Sequence, residues 1–308
     1  MAHFNVHYDN WFSERTLHPD AVQAACKVLR ERGKIYEKDG ALWLKSTDYG
    51  DDKDRVVIRD NGVPTYLAAD IAYHKNKYDR GFKSLINIWG ADHHGYVARV
   101  KAAIAALGYD PSQLEVLLLQ MVSLFRDGKP VKMSKRTGQA ITLNELIEEV
   151  GTDAARYFFI MRSLDTQLDF DLDLAKSHSN ENPVYYIQYA HARIYSIYHQ
   201  AKEAGVNLDM DWSDVHWDTL KDDQELELIK KMAAFPEEVQ RAARERAPHR
   251  IAHYVYELAG LFHTFYNHCR IIQEDKELEK ARLALVTAVR ITIANSLAIL
   301  GVSAPEKM

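Results

Sequence analysis

The chain has 308 residues, enough for two domains that each bury a core, and its composition is typical of a globular protein. A formal net charge of -5 excludes a uniformly basic protein, so any contact with nucleic acid requires a local cationic patch. Its two cysteines, Cys26 and Cys269, lack metal-ligand spacing, which indicates buried thiols in a reducing compartment. No apolar run reaches transmembrane length and residues 1–15 lack a signal-peptide pattern, so we expect a soluble, cytoplasmic protein.

The first predicted elements mix strands with one helix. Residues 4–12, "FNVHYDNWF", are rich in aromatic and β-branched residues and predict a strand. Residues 19–33 predict a helix, because Pro19 stands at its start, Gly33 at its end, and apolar residues recur at helical spacing. Residues 41–46 and 54–69 predict paired strands around a turn at Asn61-Gly62.

A strand–helix–strand pattern follows. Residues 84–90 form a short apolar run, residues 96–108 predict a helix that ends at Gly108, and residues 114–125 form a second buried run. Strands that alternate with a helix in this way predict a parallel sheet with a crossover connection.

After residue 140 the pattern becomes helical. Thr142 and Glu145 are spaced as a capping box, residues 153–163 are strongly helical, and Pro183 suits the first turn of a helix. Further helices are predicted over residues 222–247, 249–273 and 276–300. The acidic stretch 208–223 predicts a solvated loop. The fold class is therefore α/β followed by all-α, with divisions at residues 1–150, 151–180 and 181–308.

Residues 129–138, "KPVKMSKRTG", gather cations around one Met-Ser pair, in a segment bracketed by Gly128 and Gly138. Polyphosphate is bound by ammonium groups and backbone N–H donors, so Lys132 and Lys135 could converge on one anion. The glycine spacing of a Walker loop is absent. From the residues alone, a solvated basic loop explains the segment equally well.

The segment "KMSKRTG" resembles the KMSKS-type signature of class I aminoacyl-tRNA synthetases. The stretches "GDDKDRVVIR", "TYLAADIAYH", "GADHHGYVARVKAA", "NPVYYIQYAHAR", "HYVYELAGLFHTFYNHC" and terminal "APEKM" are similar to bacterial arginyl-tRNA synthetases, in the same order. The family's HIGH signature does not occur in the sequence, so we expect the chain to be the carboxyl-terminal half of such an enzyme. The resemblance implies an incomplete Rossmann-like catalytic domain followed by a helical-bundle domain that binds the anticodon.

The resemblance also implies the chemistry of the loop. Lys132 and Lys135 would stabilise charge on the β- and γ-phosphates of ATP, with Mg2+ accompanying the nucleotide, and Ser134 would fix the loop. Met133, Arg136 and, outside the loop, Gly90 would contact ATP. The family reaction depends on positioning and on charge stabilisation of the pyrophosphate leaving group.

A guanidinium substrate requires carboxylate partners. Tyr66 and Asp70 are four residues apart and would share a helix face, which makes Asp70 a candidate for binding arginine and Tyr66 for shaping the pocket. Without the resemblance, a structural Tyr–Asp hydrogen bond is the better interpretation. The resemblance adds Asp92 to the arginine site. Neighbouring His93 and His94 point apart on a helix and lack further ligands at zinc spacing, so no metal site is predicted.

Tyrosines at helical spacing on residues 182–200 are more often core residues than a binding surface, yet single-stranded bases need stacking faces and cations. The resemblance implies that Tyr186, Tyr189, Arg193 and terminal Met308 contact the anticodon, whereas Tyr185 and Tyr195 are assigned to packing. A row of four arginines is a weaker candidate, because a solvated helix face explains it better: Arg241, Arg244, Arg246 and Arg250.

The function that the resemblance implies is an arginine–tRNA ligase, which uses ATP to activate arginine and transfers it to tRNA-Arg. We expect a monomer without membrane contact, inactive when separated from the HIGH-containing part. The alternatives are a non-catalytic tRNA-binding module, and an unrelated nucleotidyltransferase with a helical tail.

Overall fold

The computed structural model describes residues 1–131, 141–208 and 212–308 and divides the chain into two compact units. One unit comprises Tyr8–Met121, and the other joins Met1–His7 to Val122–Met308. The first contains two small sheets with helices, and the second is dominated by long helices. The predicted class, α/β followed by all-α, is confirmed; the divisions at residues 150 and 180 stay predictions.

The unit Tyr8–Met121 begins with an antiparallel sheet of order β1-β2-β3. Its strands are β1 (Ile35–Lys38), β2 (Ala41–Leu44) and β3 (Arg55–Ile58). Asp39 and Gly40 both have positive φ, which is the geometry of the tight turn that joins β1 to β2. Helices α1 (Asp20–Glu31) and α2 (Tyr66–Asp79) pack on this sheet through a shared apolar core.

The predicted crossover is confirmed, but the run predicted over residues 114–125 is divided into a strand at Leu114–Leu119 and a separate strand at Val122–Arg126 in the other unit. Strand β4 (Leu85–Gly90) leads through helix α3 (Val97–Leu107) to strand β5 (Leu114–Leu119), and β4 and β5 pair in parallel. Gly108 ends the helix with a φ of 95°, as its position in the sequence predicts. One face of the pair exposes Ile86 and Ile88, although parallel sheets usually have both faces covered.

Two predictions in the first 70 residues are wrong. Residues 4–12 contain no strand: Ala2–Phe4 is a short 3-10 turn, and Trp11 is 74% exposed with its ring 4.6 Å from that of Tyr8. Aromatic composition favours a strand only where a neighbouring strand supplies pairing and packing. The turn at Asn61-Gly62 is present, closed by a bridge from Ile58 to Pro64, but the segment beyond it enters helix α2 instead of a strand.

The second unit contains a small sheet of order β7-β6-β8 beneath short helices. Its strands are β6 (Val122–Arg126), β7 (Lys129–Pro130) and β8 (Leu168–Asp171), and the helices are α4 (Leu143–Val150), α5 (Thr152–Ile160) and α6 (Leu172–Lys176). The predicted capping box is confirmed, since Thr142 and Glu145 exchange side-chain-to-backbone hydrogen bonds. Gly128 has positive φ in the turn between β6 and β7.

Five longer helices make up most of the remaining described residues of this unit and share one core with the short helices. They are α7 (Pro183–Glu203), α8 (Asp223–Ala233), α9 (Phe235–Glu245), α10 (His249–His268) and α11 (Lys276–Leu300). Asn182 accepts hydrogen bonds from the N–H groups of Val184 and Tyr185 and so caps α7, with Pro183 in the first turn as predicted. The predicted helix over residues 222–247 is divided into α8 and α9.

Helix α11 corrects one expectation from the sequence. It is long and apolar enough to cross a membrane, although no run of that kind was expected. Half of its most apolar window is buried within the protein, and Arg282 on this helix forms an ion pair with Glu225 of α8. A core helix of a soluble protein meets the same criterion of length and composition, and the burial of α11 matches that description.

Candidate functional site

Asp70 lies on α2 and is half-buried. The hydroxyl group of Tyr96 donates a hydrogen bond of 2.6 Å to its Oδ2 atom. Burial raises the pKa of Asp70, and the bond from Tyr96 and the nearby charge of Lys77 oppose that shift without cancelling it. Asp70 is therefore a carboxylate that is held in one orientation and is only partly solvated. A cationic ligand would compensate for the water contacts that it lacks.

A hydrogen-bonded chain lies beneath Asp70. His74 donates from Nδ1 to the backbone oxygen of Asp70 at 2.7 Å, and its Nε2 accepts from the amide nitrogen of Asn87 at 2.8 Å. The amide oxygen of Asn87 accepts from Lys77 at 3.2 Å, which fixes the orientation of the amide. Burial lowers the pKa of His74 to about 4, so the imidazole is neutral at pH 7 and supports α2 without adding charge.

Tyr66 lies one helical turn before Asp70, and it is 82% exposed. The structural Tyr–Asp hydrogen bond that the sequence suggested does exist at Asp70, but Tyr96 donates it. Sequence reasoning missed Tyr96 because it lies 26 residues from Asp70, at the end of the stretch "WGADHHGY". The role of Tyr66 in an arginine site stays a prediction.

Gly90 is the last residue of β4, and Asp92 follows in the 3-10 turn Ala91–Tyr96. A Cβ atom at position 90 would lie 2.7 Å from Oδ1 of Asp92, so glycine leaves room for that carboxylate. The Asp92 side chain is 83% exposed, 3.8 Å from Nε2 of His93. Gly90 and Asp92 therefore lie at the carboxyl end of a parallel strand, the usual place for a ligand in α/β folds.

The loop residues Lys132, Met133, Ser134, Lys135 and Arg136 lie outside the described part of the chain, so their assignments stay predictions. The described residues that flank the loop are Val131, after β7, and Ile141, before the capping box of α4. Among the described residues, no cluster of three or more His, Cys, Asp or Glu side chains could hold a metal ion.

A second group of predicted residues forms an aromatic surface where α7 meets α10. Arg193 lies over the rings of Tyr189 and Tyr266, at 4.4 and 4.7 Å from their centroids. Its Nη2 atom donates to the hydroxyl group of Tyr189 at 2.7 Å. The ring of Tyr186 packs against His263 of α10, with centroids 4.6 Å apart. The structure thus brings three of the four predicted anticodon residues together.

A cavity of about 360 Å³ opens at this aromatic surface. Its polar and aromatic walls suit a planar ligand that is stacked and hydrogen-bonded at its edge. Sequence reasoning missed His263, because nothing in its local pattern distinguishes it from a core histidine. The cavity is lined by Asn180, Tyr186, Tyr189, Arg193, His263, Thr264 and Asn267.

Met308 is the fourth predicted anticodon residue, and it does not line the same cavity. It lines a separate cavity of about 590 Å³ together with Tyr185. The ring of Tyr185 is stacked on that of Tyr189 with centroids 6.0 Å apart, so a tyrosine of one cavity contacts a tyrosine of the other. Tyr185, which was assigned to packing, therefore also lines a cavity.

The carboxyl-terminal residues are held against α7 by hydrogen bonds. Gln188 donates to the backbone oxygen of Ser303 at 3.0 Å, and Nδ1 of His191 lies 2.8 Å from the backbone oxygen of Pro305. These contacts keep Met308 beside Tyr185.

The arginine row on α9 and the start of α10 is engaged with other groups. Arg241 pairs with Glu245 at 2.9 Å, and Arg250 pairs with Glu238 at 2.9 Å. The pair of Arg241 with Glu245 is largely exposed, as is typical of a solvated helix face, whereas the pair of Arg250 with Glu238 is partly buried. These contacts favour that interpretation over a nucleic-acid patch.

Comparison with known proteins places this architecture in a class. Residues 2–164 match the family of class I tRNA synthetases (R), catalytic domain, and residues 187–308 match the DALR anticodon binding domain. The strand–helix–strand unit and the helical bundle are thus parts of a class I aminoacyl-tRNA synthetase.

The relatives identify the particular family. The chain is 60% identical over its full length to the arginine–tRNA ligase of Carboxydothermus hydrogenoformans and 57% identical to that of Geobacillus kaustophilus, and it covers 55% of each. A solved arginyl-tRNA synthetase structure from Campylobacter jejuni superposes with a TM-score of 0.91 at 39% identity, over 100% of this chain and 66% of that one. The chain belongs to the arginyl-tRNA synthetase family, and it spans about half the length of the curated relatives that it matches.

Proposed function

We propose that this chain contributes the arginine-selecting carboxylate, the ATP-binding loop and the anticodon-binding surface of an arginine–tRNA ligase. Such an enzyme joins arginine to ATP, releases pyrophosphate, and transfers the arginyl group to the terminal ribose of tRNA-Arg. The observation that carries the proposal is the Arg193–Tyr189–Tyr186 surface in a chain whose relatives are arginine–tRNA ligases. Stacking faces beside a cation are what an unpaired base requires.

In this proposal, Asp70 binds the guanidinium group of arginine, with Asp92 and Tyr66 completing that side of the pocket. A carboxylate that is partly desolvated and oriented by Tyr96 suits a cationic ligand, because burial strengthens its attraction to a counter-charge. Gly90 is the last residue of β4 and lies two residues before Asp92. Because it has no side chain, we propose that a nucleotide can approach the end of β4 closely there.

Lys132 and Lys135 are proposed to stabilise the charge that develops on the β- and γ-phosphates of ATP, with Mg2+ bound to the nucleotide. Ser134, Met133 and Arg136 complete the contacts of the loop with ATP. Helix α4 follows the loop directly and is held at its start by the capping box, which gives the loop a fixed point of attachment. We propose a cytoplasmic, monomeric enzyme.

Binding of tRNA-Arg by this chain tests the proposal directly. We expect the unmodified chain to retain a tRNA-Arg transcript in a filter-binding assay, and Tyr189→Ala to weaken binding about tenfold through lost stacking. A matched control is Tyr8→Ala, which removes an exposed aromatic residue from the other unit. Equal binding by Tyr189→Ala and the unmodified chain would contradict the proposed surface.

A second candidate is a tRNA-binding module without catalysis. The observation in its favour is that HIGH does not occur in the 308 residues, so half of the phosphate-binding machinery of the class is not supplied by this sequence. We expect no pyrophosphate exchange by this polypeptide alone with arginine, ATP and tRNA-Arg. Exchange at a rate near that of an intact arginine–tRNA ligase would contradict this expectation.

A further inference from the structure

His263 lies where α7 and α10 meet, and its two ring nitrogens contact different groups of α7. Nδ1 is 3.3 Å from Nη1 of Arg193, and Nε2 is 3.3 Å from the backbone oxygen of Tyr186. A guanidinium N–H can only donate a hydrogen bond, and a backbone oxygen can only accept one. The imidazole must therefore accept at Nδ1 and donate from Nε2, which defines a neutral ring in one tautomer.

Arg193 is oriented by uncharged groups. The rings of Tyr189 and Tyr266 lie against its guanidinium, the hydroxyl group of Tyr189 accepts one N–H, and His263 accepts another. Among the described residues, the ion pairs include no carboxylate partner for Arg193. Arg193 lines the cavity beside Tyr186, and no Asp or Glu side chain is among the described residues that line this cavity.

We propose that His263 is a positioning residue that orients Arg193 for RNA binding, and that binding requires the neutral form of His263. The inference rests on the proposed function, because it assigns His263 a task on the surface that is proposed to bind the anticodon. His263 acts through Arg193 and need not touch the RNA itself.

Protonation of His263 would damage this arrangement in two ways. Nδ1 would become a donor and lose its bond from Arg193, and a second positive charge would stand 3.3 Å from the guanidinium group. Burial lowers the pKa of His263, the hydrogen bond to the backbone oxygen of Tyr186 opposes that shift, and the charge of Arg193 adds to it. The other groups that face the ring are Tyr186 and Tyr189 on α7 and Phe262 on α10. They are neutral in acid, so Arg193 is the charged group that matters.

The pH dependence of RNA binding tests the proposal. Filter binding of a tRNA-Arg transcript to the 308-residue chain is measured from pH 8 to pH 5.5 at constant ionic strength. We expect constant affinity above the ordinary histidine value of 6.5 and a progressive loss at lower pH. His263→Asn places an amide oxygen near the position of Nδ1 and cannot be protonated, so its affinity at pH 7.5 should lie within about threefold of the unmodified chain and its loss in acid should be much smaller.

Two further variants separate a positioning role from a structural one. His263→Leu removes the acceptor for Arg193 and should weaken binding about tenfold at pH 7.5. Arg193→Gln should weaken binding at least as much, and adding His263→Leu to it should cause no further loss, because both changes act on one interaction. Thermal unfolding of each variant verifies folding, and the comparison of the unmodified chain with His263→Asn remains decisive if the leucine variant unfolds.

Additive losses in the double variant, or an acid loss in His263→Asn equal to that of the unmodified chain, would overturn the inference. Such a result would leave the proposed function intact as long as Tyr189→Ala still weakens binding. Undiminished binding by Tyr189→Ala would instead remove the proposed function itself.

Discussion

Loss of one partner from the ion pair between Arg282 of α11 and Glu225 of α8 should strongly destabilise the helical unit. Nε of Arg282 donates to Oε1 of Glu225 at 2.6 Å, and Nη1 donates to the backbone oxygen of Arg270 at 2.8 Å. The side chains of Arg282 and Glu225 are only 10% and 1% exposed. Replacement of Arg282 by methionine keeps much of the volume but leaves a buried carboxylate without its counter-charge.

The expected cost of Arg282→Met is about 3–5 kcal/mol in the free energy of unfolding, the range for breaking a buried pair on one side. With a urea dependence of about 2 kcal/mol per molar, the unfolding midpoint of this unit should fall by about 1.5–2.5 M. Far-ultraviolet circular dichroism follows the helices of this unit.

Arg241→Met is the matched control, since it removes the same side chain from a pair whose members are 55% and 44% exposed. That change should cost less than about 1 kcal/mol. Adding Glu225→Gln to Arg282→Met removes the stranded charge while leaving an acceptor for the N–H of Asp222, so the double variant should recover part of the loss. If Arg282→Met cost no more than Arg241→Met, the burial argument would be refuted.

Three other predictions concern the unit Tyr8–Met121. The pKa of His74 is about 4 in the folded chain, against 6.5 for an ordinary histidine. Between pH 6.5 and pH 4 the unfolded state therefore binds a proton that the folded state does not bind. The free energy of unfolding should fall by up to about 3 kcal/mol as the pH drops from 7 to 4. Gly108→Ala should destabilise this unit by about 1–3 kcal/mol in urea unfolding, because φ is 95° and the new Cβ would lie 2.6 Å from the guanidinium group of Arg32. In a complete arginine–tRNA ligase with these residues, Tyr96→Phe should raise the KM for arginine about tenfold with a smaller effect on kcat, because Asp70 loses the bond that orients it.

Each of these has its own control. His74→Gln cannot be protonated and should flatten the acid loss; an unchanged slope between pH 7 and 4 would contradict the assignment to His74. Gly205 has φ of 80° with nothing within 4 Å of a new Cβ, so Gly205→Ala should cost less than Gly108→Ala. For Tyr96→Phe, an unchanged KM would show that Asp70 does not depend on this hydrogen bond.

The elements that could be predicted from the sequence are those with local signals. The crossover helix α3 ends at Gly108, and the capping box at Thr142 is formed, because the apolar period and the end residues agree at both places. The strand predicted at residues 4–12 failed because strand propensity depends on a partner that the local sequence cannot specify. The predicted strand over residues 54–69 overlaps the start of helix α2, although the spacing of Tyr66 and Asp70 suits a helix, so the local sequence does not define where the hairpin ends.

The candidate site was predictable to the extent that it lies on single elements. The resemblance implies the group Tyr186, Tyr189 and Arg193, and these residues share a face of α7 at spacings of three and four residues. Tyr96 and His263 contact partners 26 and 70 residues away, and such contacts leave no periodic pattern in a single sequence. Met308 was grouped with Tyr186, but successive residues of a helix point about 100° apart, and Met308 lies with Tyr185 instead.

A protein with a net charge of -5 can still bind a polyanion if some of its cationic side chains have no carboxylate partner. Arg241 and Arg250 on the arginine row have glutamate partners, so a phosphate would have to compete with carboxylates for their charge. Arg193 has neutral partners, and the tyrosine rings and His263 remove water from it without neutralising it. A cation that is already desolvated and oriented loses less entropy and hydration on binding RNA than a mobile surface arginine does. We therefore expect RNA binding to depend on which arginines have carboxylate partners more than on how many arginines there are, which favours Arg193 over Arg241 and Arg250.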